Sequence, residues 1–150
     1  MTQRTILITG CSSGIGLASA RVMKARGWRV LATARRDHDL AMLERDVGVE
    51  TLPLELADAA SIAACADAVL SRTEGRLDAL FNNAAFGQVG AIEDLTPELL
   101  RRQLEVNVVG THDLTRRVIP AMRRAGHGRI VMCSSVLGLV AVPHRGAYCA

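Results

Sequence analysis

Thr9-Gly10-Cys11-Ser12-Ser13-Gly14-Ile15-Gly16 follows an apolar run, Thr5–Ile8, almost at the start of the chain, and it opens a helical pattern. The run is branched and apolar, which suits a buried strand. Gly10 then lets the chain turn, Gly14 lets the backbone approach a ligand closely, and Gly16 lets the following helix pack on the strand. A helix entered in this way turns free N–H groups toward an anion, so the stretch reads as a phosphate cradle. Its spacing is Gly-x-x-x-Gly-x-Gly and not the Gly-x-Gly-x-x-Gly of the standard dinucleotide fingerprint. Taken alone, it also fits a glycine-rich turn with a serine cap.

Working outward, residues 15–25 read as a helix with Ile15, Ala18, Val22 and Ala25 on one face, ended by Gly27. A second strand fits 28–34 and is followed by Arg35-Arg36. A short helix fits 39–46, a third strand 49–56 and a third helix 61–71. The fourth strand, 77–81, runs into Asn82-Asn83-Ala84-Ala85 and a glycine-containing loop, 86–90. Thr96-Pro97-Glu98 gives three agreeing helix-start signals: a capping residue, a proline at the first helical position and an acid in the first turn. The long helix that follows carries Leu100, Leu104, Val108, Thr111, Val118 and Met122 near one face, with a kink expected at Pro120. A fifth strand fits 129–133 and leads to Ser134-Ser135, a loop through Gly138 and Pro143, and Tyr148. Alternating strands and helices with nearly continuous apolar strands predict an α/β fold, a doubly wound, Rossmann-like parallel sheet with helices on both faces. The ligand crevice then lies at the C-terminal ends of the strands. No linker or low-complexity tract divides residues 1–150, which read as a single dinucleotide-binding domain.

Composition narrows the function class. The chain of 150 residues is 49% hydrophobic and 22% charged, as in ordinary globular proteins. With a net charge of +3 and 3% aromatic residues it offers neither a concentrated basic face nor stacking aromatics, so nucleic acid is not an expected partner. The stripe Arg102, Arg116 and Arg123 reads as a solvated helix face. No apolar run is long enough to span a membrane and the N-terminus shows no signal-peptide layout, which makes a cytoplasmic protein the expectation. Cys11, Cys65, Cys133 and Cys149 lie far apart with no Cys-x-x-Cys pair, so neither a metal site nor a disulfide framework is indicated.

The opening stretch together with Asn82-Asn83-Ala84, Asn107, Ser135 and Tyr148, in this order and spacing, resembles the N-terminal portion of the short-chain dehydrogenase/reductase family through all 150 residues. The resemblance implies hydride transfer between a nicotinamide cofactor and an alcohol or carbonyl carbon. It places Gly10, Ser12, Ser13, Gly14, Ile15 and Gly16 on the cofactor phosphates, Glu55-Leu56 near the adenine, where the family usually has aspartate, and Asn82 and Ala84 beside the cofactor. Ala85 stands where the family has glycine. At the end of the second strand an acid would bind a ribose 2′-hydroxyl, whereas a guanidinium can bind a 2′-phosphate in bidentate fashion. Arg35-Arg36 follow that strand and no acid occupies its end, which favours NADP(H) over NAD(H), with Arg35 the better placed.

For catalysis the resemblance implies Asn107 holding a water in a proton relay, with Ser135 and Tyr148, 13 residues apart, at the reacting oxygen. Tyrosine would exchange the proton, and serine would hydrogen-bond the oxygen as charge develops. Free tyrosine has a pKa of about 10, so its use near neutrality needs a nearby positive charge. The family supplies a lysine four residues after the tyrosine; here that position falls past Ala150, and Lys24 is the one lysine in the sequence. The expectation is therefore an incomplete chain with little turnover of its own, the alternative being a non-catalytic dinucleotide-binding module. Its fifth strand would be an exposed apolar edge. The 86–90 loop and residues 136–143 resemble members acting on hydrophobic alcohols such as steroids or retinoids, and the complete protein is expected to be a homo-oligomer.

Overall fold

The computed structural model describes residues 3–150. Five strands, β1 (Thr5–Ile8), β2 (Arg29–Ala34), β3 (Glu50–Pro53), β4 (Ala79–Asn82) and β5 (Arg129–Met132), form one parallel sheet in the order β3-β2-β1-β4-β5. The order reverses direction beside β1, which puts the glycine-rich stretch at the topological switch point. Helices α1 (Gly14–Ala25), α2 (Asp37–Met42), α3 (Ala59–Arg72), α4 (Pro97–Leu104), α5 (Thr111–Ala125) and α6 (Gly146–Cys149) supply the crossovers and the C-terminal turn.

Alternation along the strands sorts the core into two layers. Leu7, Leu31 and Leu80 point to one face and pack with Ile62, Cys65 and Val69 of α3 and Leu114 and Val118 of α5. Ile6, Ile8, Val30 and Ala32 point to the other and meet Ala20 of α1 and Leu43. A parallel sheet covered on both faces is the doubly wound arrangement, and each fully buried Leu or Ile contributes about 1.5–3 kcal/mol to it.

Three local expectations are corrected. Ile15, Ala18, Val22 and Ala25 do not face the sheet: all four are exposed, Ile15 at 62%. The buried side of α1 is Gly16 and Ala20, with Leu17 and Met23 packed against the core. The helix lies too close to the strands for large side chains at the contact, and its smallest residues mark it. The third strand ends at Pro53, which cannot donate to the ladder. The long helix is broken by a π-helical stretch, Glu105–Gly110, between α4 and α5. The expected face is not the buried one: Leu100 and Val108 are exposed, while Gln103, Thr111, Leu114, Val118 and Met122 are buried. Pro120 lies within α5, which continues to Ala125.

At the far edge β5 pairs only with β4, and Ile130, Val131 and Met132 are exposed at 39%, 52% and 56%. Among the described residues no helix is long and apolar enough to cross a membrane.

Candidate active site

β1 delivers the chain to the top of the sheet at Thr9, and Gly10 turns it with φ +71°. A side chain at Gly10 would put its Cβ 2.8 Å from the Ala84 Cα, so the turn is pressed against the corner after β4. A Cβ on Gly16 would run into the Gly10 carbonyl oxygen and lie 2.7 Å from Asn83 Nδ2. The first intrahelical bond of α1 runs from Leu17 N–H to the Ser13 carbonyl (3.2 Å). The N–H groups of Gly14, Ile15 and Gly16 therefore have no acceptor within the helix. Ser13 occupies the cap position without using its hydroxyl as a cap. The turn thus carries three N–H groups at the start of α1, with Gly16 packed beneath it.

A cavity of about 330 Å³ opens in front of this turn. Of the residues expected at the cofactor, Gly10, Ser12, Ser13, Arg35, Glu55, Leu56 and Ala84 line it and Gly14, Ile15, Gly16 and Asn82 do not, while Thr33, Asn83 and Phe86, which were not anticipated, do. Arg36 does not line it; it precedes the first residue of α2. Arg35 Nη1 stands 3.8 Å from Glu55 Oε2, with the two side chains 65% and 42% exposed. Such an exposed pair is weak, so the guanidinium is free to exchange its partner for a phosphate.

A second cavity, about 180 Å³, gathers Asn82, Asn107, Ser135 and Tyr148, residues separated by up to 66 positions in sequence. Ala84 and Ala85 line both cavities, which therefore meet at the β4 corner. Ser135 ends the segment after β5, and its Oγ accepts from Leu137 N–H (3.2 Å), leaving the hydroxyl proton to donate. Tyr148 is carried on α6. The Asn82 amide donates to Thr115 Oγ1 (2.9 Å) and to the Met132 sulfur (3.1 Å), tying β4 to α5 and β5. Asn107 uses its amide on the backbone of one residue: Nδ2 donates to the Phe86 carbonyl (2.9 Å) and Oδ1 accepts from the Phe86 N–H (3.2 Å). Its side chain is a loop anchor in this structure. Ala85 has no positive φ, so alanine in place of glycine carries no left-handed strain.

Asn83 was missed as a site residue. Its Nδ2 donates to the carbonyls of Thr9 (2.9 Å) and Gly10 (3.1 Å), bracing the cradle from behind. Only its place beside Asn82 in the sequence hinted at this. Cys11, within the cradle, is fully buried, and burial pushes its thiol up to about 12. It is packing and not chemistry.

Residues 4–150 match the family model for short chain dehydrogenases. The chain belongs to the short-chain dehydrogenase family. It is 43% identical over 148 residues to the uncharacterized oxidoreductase YbbO of Escherichia coli K12, covering 99% of this chain and 55% of that protein. It is 37% identical over 161 residues to human 17-beta-hydroxysteroid dehydrogenase type 1, covering all of this chain and 48% of the relative. Among solved structures, a short-chain dehydrogenase from Streptomyces avermitilis superimposes with a TM-score of 0.91 at 39% identity, over 98% of this chain and 54% of that one. Actinorhodin polyketide ketoreductase, solved with NADPH, superimposes at 0.90 and 34% identity over 97% and 58%. The chain spans about half the length of the relatives it matches. The glycine turn suits the nicotinamide dinucleotide that the family binds, since a side chain at Gly10 or Gly16 would collide with the backbone that shapes it.

Proposed function

We propose that the whole protein is an NADP(H)-dependent oxidoreductase that interconverts a hydrophobic alcohol and its carbonyl compound. The observation that carries the reading is the meeting of the two cavities at Ala84 and Ala85. One holds the anion-binding turn and the other the serine and tyrosine, so an extended dinucleotide has its phosphates at one end and its reactive ring at the other. Bound there, the nicotinamide supplies or accepts the hydride. The chain's own part is proton handling and orientation. In reduction the Tyr148 phenol gives its proton to the carbonyl oxygen, and the Ser135 hydroxyl donates a hydrogen bond to the same oxygen as negative charge builds. Arg35, with Ala34 and no acid at the end of β2, favours a 2′-phosphorylated cofactor.

The test is a pair of measurements on the whole protein. Tyr148→Phe is expected to lower kcat by at least about 100-fold, the usual worth of a general acid, and to leave NADPH affinity unchanged. Arg35→Ala is expected to weaken NADPH binding about tenfold or more, with little effect on NADH. Turnover that survives Tyr148→Phe removes the role given to tyrosine. Equal affinity for both cofactors in the unsubstituted protein removes the one given to Arg35.

A further inference from the structure

Gln103 is among the most deeply buried polar side chains in the described structure, at 2% exposure, on the face of α4 where a core residue would ordinarily be apolar. Its amide bonds to the loop after β4 and to nothing in its own helix. Oε1 accepts from the Gln88 N–H (2.6 Å), and Nε2 donates to the Phe86 carbonyl (2.9 Å). These two contacts bracket Gly87. One helical turn on, Asn107 holds both the N–H and the carbonyl of Phe86.

Gly87 in turn lies on the Tyr148 ring: a Cβ built on it would stand 3.4 Å from Cγ and 3.5 Å from Cδ2 of the tyrosine. The same loop is fastened to the segment before α6 by Gly90 N–H donating to the His144 carbonyl (3.1 Å). A buried amide thus fixes the peptide units on either side of a residue that lies against the tyrosine ring. We propose that Gln103 is a positioning residue for Tyr148, acting through Gly87 to set where the phenol hydroxyl points into the smaller cavity. The proposal rests on the reading of Tyr148 as the proton donor.

Tyr148 is the one tyrosine of residues 1–150, and when the protein is labelled with ¹³Cζ-tyrosine the signal absent from Tyr148→Phe is that of its ring carbon next to the hydroxyl. Gln103→Leu removes both hydrogen bonds, Gln103→Met removes them with side-chain length kept, and Gln103→Glu keeps the acceptor alone. Gly87→Val presses on the ring directly and, at an exposed position, does not disturb the core. Trp28 fluorescence and the urea midpoint report whether each variant is folded.

The expected result is a displaced Tyr148 signal in the Leu, Met and Val variants and a smaller displacement in the Glu variant. kcat of the whole protein should fall about 10- to 100-fold in the first three, as for a misplaced reacting group, with its pH profile moved and NADPH affinity within about twofold. A Met variant indistinguishable from the unsubstituted protein would show that Gln103 only fills space and would overturn the proposal. So would a Tyr148 signal that stays in place in folded Gln103→Leu and Gly87→Val. A displaced signal in a protein that turns nothing over supports the placement and counts against the oxidoreductase reading instead.

Discussion

Thr9 and Asn83 hold each other across the head of the sheet: the Thr9 hydroxyl accepts the Asn83 N–H at 2.9 Å, and Asn83 Nδ2 returns a bond to the Thr9 carbonyl at 2.9 Å. The same hydroxyl also accepts the Ala84 N–H (2.9 Å). A buried threonine at the end of β1 therefore terminates two backbone donors of the β4 corner, and the corner braces the glycine turn in exchange.

Thr9→Val keeps the shape and strands both donors. Because an orphaned buried N–H costs about 1–3 kcal/mol and these two are part-buried, the variant should lose roughly 2–4 kcal/mol, while Thr9→Ser should lose under about 1. Urea denaturation measures both. A valine variant as stable as the serine variant would show that the hydroxyl is not needed there.

The glycines separate by the space around them. Gly16→Ala drives a methyl into the Gly10 carbonyl, so it should weaken dinucleotide binding by at least about tenfold and destabilise the fold by about 1–3 kcal/mol. Gly14 has φ +56° and open space, with no atom within 4 Å of where a Cβ would stand, so Gly14→Asn should cost no more than about 1 kcal/mol. Cofactor fluorescence titration beside a melting curve ranks the two, and a reversed ranking would sink the packing account of Gly16.

Thiol chemistry should divide the cysteines two and two. Burial raises Cys11 and Cys65 to about 12, while Cys133 is exposed and Cys149 half-buried. Native protein treated with a thiol reagent should react quickly at Cys133 and Cys149, and Cys11 and Cys65 should react only on unfolding. Peptide mapping after brief alkylation reads the result; early label on Cys11 would mean that the cradle opens.

At the opposite end of the sheet His127 Nε2 lies 2.8 Å from Asp78 Oδ1, and Asp78 Oδ2 accepts the Thr5 N–H (2.7 Å). The hydrogen bond to Asp78, then one to the Ala125 carbonyl, raises the His127 pKa above its ordinary 6.5. Desolvation opposes ionisation of Asp78, but the Thr5 N–H and His127 outweigh it and hold its carboxyl below 3.8. The raised histidine adds stability that is complete below its unfolded pKa and lost as pH rises through the folded value. The lowered aspartate adds stability complete above its unfolded pKa and lost as pH falls through the folded value. The pair therefore contributes fully between roughly pH 4 and 6.5. The urea midpoint should drop more between pH 5.5 and 8.5 in the unsubstituted protein than in His127→Gln, and parallel curves would exclude the pair as the cause.

The order of elements was legible because each strand is a short apolar run bounded by glycine, proline or a charge, and the two cavities follow from where such strands end. The side of α1 that packs was not. Counting large apolar residues picked Ile15 and Val22, whereas close helix–sheet contact selects Gly16 and Ala20, for which small size is the signal. The roles of Gln103 and Asn83 were hidden for another reason: their partners are loop peptides 15 to 74 residues away, and no local pattern announces a side chain that bonds backbone. Asn107 was singled out correctly as an amide in need of partners, and the fold supplied Phe86.

The π-helical stretch between α4 and α5 bears on how one helical rod serves two masters. Four residues overshoot a full α-helical turn of 3.6, so contacts repeated every fourth residue would spiral off any fixed target. A wider turn takes up the overshoot. With Glu105–Gly110 wound this way, Gln103, Asn107 and Thr111 stay in phase, and the rod meshes with an irregular loop at one end and a regular sheet at the other.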